Sequence, residues 1–201
     1  EPISWRGSQR GDAYIQKRIP DYAALVASGK VWGALDTTTT VALVARPTTL
    51  ASLTAQNPAG SQTWKLLLGF LMYTDVVSAT LGAVTLWQCT HKLQAAVLTR
   101  ELVLQGTGAG SAFSYKGLES YGGDLIIARG ETVVDDGWVP VGEAEESNIA
   151  TTNFLGKEIP LRIPVLLPPG ASHSLQTTAT VVTFETALGY IWAELDLKDL
   201  E

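Results

Sequence analysis

Short runs of β-branched, aromatic and aliphatic residues alternate along this chain with turn signals rich in glycine, proline and asparagine. Roughly ten such runs occur, at the spacing typical of an all-β domain. Two of the strongest turn signals are Asn57–Ser61 and Pro168–Gly170, and each separates long strand-like segments. This punctuation predicts an all-β fold, and we expect a two-sheet β-sandwich of the jelly-roll type.

The segment Thr63–Thr74 is the most apolar candidate strand. Period-two alternation predicts that one face carries Trp64, Leu66, Leu68, Phe70 and Met72, while the opposite face is also apolar. A strand with two apolar faces is covered on both sides, by a second sheet or by another subunit. A buried helix is the alternative, and Gly69 disfavours it. We assign Trp64, Phe70 and Met72 to a subunit interface.

Several shorter elements follow from turn chemistry and alternation. Tyr22–Ala27 forms either a hairpin strand before Val31–Leu35 or a short helix. Thr132–Val141 predicts a hairpin that turns at 135–137. The acidic stretch Glu143–Glu146 predicts an exposed loop. Pro160 and Pro164 predict that the strand Ile159–Leu167 lies at a sheet edge or contains a bulge.

Two regions make up the chain. Residues 1–12 predict an extended arm, and residues 13–201 predict a single β-sandwich domain, since 201 residues suffice for one substantial core. Trp5 on the arm is poorly placed to join the core of its own domain. We expect it to dock into a neighbouring subunit, so that deleting residues 1–12 weakens assembly without unfolding the domain.

The charge content favours protein partners. Only 17% of the residues are charged and 46% are hydrophobic, which predicts that part of the surface is buried in a homo-oligomer. The alternative is a monomer with a face rich in threonine and serine. A net charge of −6 argues against a nucleic-acid partner. The longest apolar run, Leu66–Tyr73, is shorter than the roughly 20 residues of a membrane-spanning helix.

No catalytic or metal-binding motif is evident, so we expect no enzyme activity and no cofactor. Cys89 and His91 share a strand face, but a packed cysteine beside a surface histidine explains them without catalysis. A zinc site would need both of these and His173 to converge with an acid. Glycoside cleavage by paired carboxylates would use Glu194 with Glu185 or Asp196, which otherwise read as solvated charges.

Tryptophan is the other unusual feature, with six residues in the chain. Most of these rings are expected in the core or in interfaces, where an aromatic side chain buries a large area. Trp138 and Tyr121 lie near predicted loop tips and are candidates for stacking against a sugar ring. This alternative would make the domain a carbohydrate- or receptor-binding module.

Three passages share a characteristic turn chemistry and strand texture. The passages are Arg46–Thr49 leading to Asn57–Ser61; Asp75–Ala79; and Ile163–Val165 with Pro168–Gly170, followed by Tyr190–Glu194. Over roughly residues 40–95 and 160–197, the chain therefore resembles a loose group of tailed-bacteriophage virion proteins with jelly-roll domains.

This resemblance implies a domain that decorates a capsid, forms a fibre base or lies in a tail. Proteins of this kind are often trimers, and several use an N-terminal arm to embrace a neighbour. The sequence therefore predicts a virion structural protein, assembled in the host cytoplasm, that forms a homotrimer and docks on capsid or other virion proteins. The alternatives are the carbohydrate- or receptor-binding module and the glycoside-active enzyme.

Overall fold

A computed structural model of the chain describes residues 23–36, 38–76, 82–91, 112–116, 121–134, 137–147, 155–180 and 184–196. The predicted arm, residues 1–12, lies outside these ranges. One short helix and eleven strands form the described part of the chain. They are α1 (Ala23–Ala27), β1 (Val31–Leu35), β2 (Thr40–Val41), β3 (Leu53–Gln56), β4 (Thr63–Val76), β5 (Gly82–His91), β6 (Ala112–Ser114), β7 (Ile126–Arg129), β8 (Val139–Ser147), β9 (Leu155–Leu167), β10 (Ser172–Ala179) and β11 (Phe184–Asp196).

The strands form two antiparallel sheets, which confirms the prediction of an all-β, two-sheet sandwich. Sheet A has the order β6-β1-β11-β4-β9, with β2 also paired to β11. Sheet B has the order β7-β3-β10-β5-β8. Consecutive strands mostly cross from one sheet to the other, so most neighbours within a sheet are distant in sequence.

Large apolar side chains from both sheets fill the space between them. Phe70 and Trp192 come from sheet A, while Leu53 and Leu175 come from sheet B, and all are buried. A polar group also lies in this core. The buried His173 ring stacks on Phe70 and contacts the Tyr190 hydroxyl at 3.3 Å. Buried polar atoms need such partners, because desolvation without a hydrogen bond is costly.

A β-bulge changes the face assignment within β4. In the pairing with β11, Leu67 lies opposite Trp192 and Gly69 lies opposite Ile191, so Leu68 is an extra residue of β4. As a result Leu66 and Leu68 lie on the outer face of sheet A, while Phe70 and Met72 pack in the core. The prediction that all these residues share one face is wrong, because an irregular pairing interrupts the strict alternation of a strand. The prediction of a strand rather than a buried helix is confirmed.

The outer apolar face of β4 is covered partly within the same chain. Leu68 and Ile191 pack there with Leu25 and Val26 of α1. Gly29, with φ of 74°, follows the last helical residue, Ala27, at the C-terminal cap. Lys30 N–H donates to Leu25 O, and Gly29 N–H donates to Val26 O, which is the Schellman pattern. Tyr22–Ala27 is therefore a short helix at its described residues, and not the hairpin strand that was the other possibility.

Two predicted loops differ from the structure. The expected hairpin around Gly137 is absent from the described residues, since Thr132 bridges Leu50 and β8 pairs with β5. The acidic stretch Glu143–Glu146 is part of β8 rather than an exposed loop. Because β8 is the edge strand of sheet B, charged residues suit this position by hindering pairing with another chain.

A buried ion pair joins the two sheets. Asp36 follows β1 in sheet A and is 3% exposed. Arg129, at the end of β7 in sheet B, donates two hydrogen bonds to its carboxylate, from Nε to Oδ2 and from Nη2 to Oδ1. A bidentate guanidinium–carboxylate pair fixes orientation as well as distance. This contact therefore sets how the ends of β1 and β7 lie across the sandwich.

Candidate functional site

A pocket of about 510 Å³ opens at one end of the sandwich. Because β1 and β4 run antiparallel to β11, the starts of β1 and β4 meet the end of β11 at this point. The segment before β7 closes one side. The polar lining comes from Lys30, Gln62, Thr63, Asp124, Glu194 and Asp196, and Trp32 supplies an aromatic wall.

A fully buried lysine lies beside this pocket. Lys65 is 0% exposed, and its ammonium contacts Thr63 Oγ1, Glu194 Oε1 and Asp124 Oδ1, each at 2.6 Å. An ammonium has three protons to donate, so three close oxygens match its capacity. A buried charge is tolerated only when it is paired in this way. Lys65 is therefore a fixed positive charge that holds the two carboxylates in position.

Tyr121 completes the cluster from the other side of Glu194. Its hydroxyl donates to Glu194 Oε1 at 2.6 Å and accepts from Leu125 N–H at 3.0 Å. Burial and the adjacent Glu194 charge raise the pKa of Tyr121 far above its ordinary value. The ring packs edge-on against Trp32 and Trp192. Tyr121 is therefore a protonated hydrogen-bond donor that orients the carboxylate.

Asp124 stays ionised in this environment. Burial opposes its ionisation, but hydrogen bonds from Lys65 and Ser61, together with the Lys65 charge, outweigh burial and lower its pKa below the ordinary 3.8. Its side chain is 45% exposed, so one side of the carboxylate faces the pocket while Lys65 holds the other. The pocket thus keeps a carboxylate that a ligand can reach.

Glycines form the wall next to these groups. A Cβ atom on Gly123 would strike Glu194 Oε1 and the Tyr121 hydroxyl, whereas one on Gly122 would meet nothing within 4 Å. Any side chain at position 123 would therefore displace the hydrogen-bonded pair. At the rim, Lys30 and Asp196 form a more exposed ion pair at 3.4 Å.

The glycoside-cleavage alternative is only partly consistent with this geometry. Glu194 and Asp196 both line the pocket. Glu185 lies nine residues earlier on β11, about 30 Å away at the rise of a β-strand. Its carboxylate accepts a hydrogen bond from Thr39 at 2.6 Å. Pairing of Glu194 with Glu185 is therefore wrong, because the two side chains lie near opposite ends of one long strand.

The predicted interface residues have different environments. Trp5 is outside the described residues. Trp64 is half-buried near the start of β4. Phe70 and Met72 are 0% and 5% exposed and pack between the sheets. Neither of these two side chains is presented to a partner, because the bulge in β4 turns them towards the core.

The two candidate sugar platforms are also buried. Trp138 is 4% exposed, donates from Nε1 to Thr48 O at 2.7 Å, and packs against Ala51 and Val133. Tyr121 is 1% exposed, and its hydroxyl donates to Glu194 in the cluster around Lys65. The expected exposure of these rings is wrong, since local turn signals do not reveal that segments distant in sequence cover them.

Cys89 is a free, buried cysteine that packs with Ala51, Val133 and Trp138. His173 lies in the core, where its Nε2 is 3.1 Å from Gln88 Oε1. Among the described residues, no group of three or more metal-ligating side chains is arranged to hold a metal ion. In the same part of the chain, no helix is long and apolar enough to cross a membrane.

Sequence reasoning missed Lys65 and Asp124. The available signal was a lysine placed within the apolar run of β4, directly after Trp64 and before three leucines. A charge at a strand position that faces the core must have partners. Comparison of the chain with family models, curated proteins and solved structures found no match.

Proposed function

We propose that this chain is a virion structural protein that self-associates, as a trimer, and docks on a larger protein assembly such as a phage capsid. The observation that carries the proposal is a bulge on β9, the edge strand of sheet A, that exposes an isoleucine. Leu67 pairs with Val165 and Gly69 pairs with Pro160, so residues 161–164 all lie opposite Leu68. Ile163 on this bulge is 84% exposed.

An isoleucine this exposed leaves most of its apolar surface in water. Leu166, three residues later on the same strand, is 38% exposed. Burying such side chains against a partner contributes about 25 cal/mol for each Å² of apolar surface. The bulge also projects Ile163 beyond the regular pairing of the sheet. A projecting apolar side chain of this kind suits insertion into a pocket on a neighbouring subunit.

The sheet edges favour side-chain docking over strand addition. At one edge of each sheet the terminal strand is short, since β6 has three residues and β7 has four. The opposite edge strands are longer but contain prolines, Pro140 in β8 and Pro160 and Pro164 in β9. Proline lacks an N–H donor and hinders pairing with another strand. Subunits would therefore meet through side chains rather than by extending a sheet.

We also propose a jelly-roll assignment for the strand order. In sheet A the order β1-β11-β4-β9 places the first strand beside the last. In sheet B the order β3-β10-β5-β8 interleaves with it along the chain. Eight strands arranged in this way correspond to the two Greek keys of a jelly roll, with β2, β6 and β7 as additions. This assignment is consistent with the virion proposal.

Substitution of Ile163 tests the proposed interface. Ile163→Asp places a charge on the bulge, where it disturbs nothing in the core, so the domain stays folded and the associated form dissociates at higher concentration. The matched control is Val44→Asp, since Val44 is 65% exposed at a different place. Sedimentation velocity over a concentration series compares both variants with the unmodified chain. If Ile163→Asp associates as strongly as the unmodified chain, the bulge is not part of the subunit interface.

A further inference from the structure

We infer that the pocket at the end of the sandwich binds a guanidinium group, as carried by an arginine side chain. This inference rests on the proposed function where it concerns a second copy of the chain. The pocket is large enough for such a group, with a volume of about 510 Å³. It also combines an aromatic wall, Trp32, with the carboxylates of Asp124, Glu194 and Asp196.

Hydrogen-bonding capacity favours a ligand that mainly donates. Lys65 is fully buried, donates to Thr63 Oγ1 and Glu194 Oε1 and is ion-paired with Asp124, so it is not presented to a ligand. The Tyr121 hydroxyl donates its proton to Glu194 Oε1. The Lys65 and Tyr121 bonds to Glu194 both fall on Oε1, which leaves Oε2 as an acceptor. A guanidinium offers five N–H donors and no acceptor, and it matches carboxylates in geometry.

The charges at the pocket also favour a cationic ligand. Among the described residues, three carboxylates and two ammonium groups, those of Lys30 in the lining and Lys65 behind it, contribute a net charge of −1. Because Lys65 is fully buried, its charge holds Asp124 and Glu194 in place from the side opposite the ligand. A monovalent organic cation would neutralise the remaining charge. Guanidinium is preferred over ammonium because it is planar, more weakly hydrated and able to contact an aromatic ring.

Two sources can supply this group, a small free guanidinium compound or an arginine of a protein. The N-terminal segment of a second copy is one protein source, since it contains Arg6, Arg10 and Arg18. Occupation of the pocket by this segment would link one subunit to its neighbour. The two sources share the same recognition chemistry and are separated by experiment.

The test uses the full chain labelled with ¹⁵N and titrated with Nα-acetyl-L-arginine amide. We expect saturable chemical-shift changes at the Trp32 indole and at the amides of Gly122 and Gly123, with affinity in the millimolar range. The matched probe is Nα-acetyl-L-citrulline amide, which has a similar shape and no charge. Equal binding of both probes, or no binding of the arginine probe, would overturn the inference.

Variants locate the binding. Asp124→Asn is expected to weaken arginine binding by about tenfold, the effect of losing one charge-assisted contact. Asp196→Asn is a second test of binding, at a carboxylate on the pocket rim that lies outside the buried cluster around Lys65. This variant is expected to weaken arginine binding while leaving the fold intact. Glu158→Gln changes an exposed carboxylate that is not part of the pocket and should leave the affinity unchanged. Equal affinity in Asp196→Asn, Asp124→Asn and the unmodified chain would contradict the assignment.

A peptide of residues 1–18, compared with the same peptide carrying citrulline in place of arginine, identifies the source. Tighter binding of the arginine peptide than of the single amino-acid probe supports the neighbouring segment as occupant, and equal binding supports a free compound. Failure of the proposed function is distinguishable. A chain that remains monomeric but binds the arginine probe refutes self-association and keeps the pocket assignment.

Discussion

Two adjacent glycines at the pocket wall make a residue-scale test of the cluster geometry. A Cβ on Gly123 collides with Glu194 Oε1 and the Tyr121 hydroxyl, whereas a Cβ on Gly122 meets open space. We predict that Gly123→Ala lowers the free energy of unfolding by about 1–3 kcal/mol, as overpacking does. Gly122→Ala should change it by less than about 0.5 kcal/mol. Urea denaturation measures both, and equal effects would refute the close approach.

Lys65 gives a second prediction. Removing one partner from a buried ion pair leaves an uncompensated charge, here that of Glu194. Lys65→Ala should therefore cost about 3–5 kcal/mol of unfolding free energy. The control is Lys30→Ala, where the ion pair with Asp196 is more exposed and the loss should stay below about 1 kcal/mol. A loss from Lys65→Ala no larger than that of the control would show that Lys65 is solvated.

Asp124 predicts a pH dependence. Its pKa is lower in the folded chain than the ordinary 3.8, because the hydrogen bonds and charge around Lys65 outweigh burial. The stabilisation is therefore complete above the ordinary pKa and is lost as the pH falls through the folded-state value. The stability difference between the unmodified chain and Asp124→Asn should be constant near neutral pH and should shrink below about pH 4. Denaturation curves at several pH values measure it, and a difference that grows in acid would contradict the account.

The cluster could not be predicted from local sequence because its members are distant along the chain. Lys65 and Glu194 are separated by 129 residues, and Tyr121 and Glu194 by 73. Only the lysine within an apolar strand gave a signal, and that signal does not identify its partners. The burial of Tyr121 and Trp138 depends in the same way on segments that meet only in the folded chain.

At the scale of elements, turn chemistry and alternation were sufficient for much of the fold. The bounds of β1 were predicted correctly from the turn signals, and the prolines of β9 correctly predicted an edge strand, although β9 begins at Leu155 rather than at Ile159. The errors occur where tertiary pairing overrides the local pattern. The bulge in β4 puts Leu66 and Leu68 on the face opposite to that of Phe70 and Met72. The acidic segment is part of β8, which pairs with β5.

The ion pair between the sheets makes an element-scale prediction. Arg129→Met removes the guanidinium that neutralises the buried Asp36 and should cost about 3–5 kcal/mol of unfolding free energy. Combining Arg129→Met with Asp36→Asn removes the unpaired buried charge and should recover part of the lost unfolding free energy. A double-mutant cycle measured by chemical denaturation should give a coupling energy of about 0.5–3 kcal/mol. A coupling energy near zero would show that the pair does not join the sheets.

At the scale of the whole molecule, the proposed account depends on association. The chain combines a low content of charged residues, 17%, with a projecting isoleucine on a proline-containing edge strand. A typical protein interface buries roughly 800 Å² on each partner, which requires more surface than the bulge alone. Leu166, 38% exposed on the same strand, is a further candidate for this area.

The most direct measurement is the molar mass of the full chain in solution, by size-exclusion chromatography with light scattering across a dilution series. The mass of a single chain is 21.4 kDa. The account predicts a closed oligomer, a trimer, whose mass persists on dilution until the subunits dissociate. A mass that stays at 21.4 kDa at every concentration would contradict self-association and, with it, the proposed structural role.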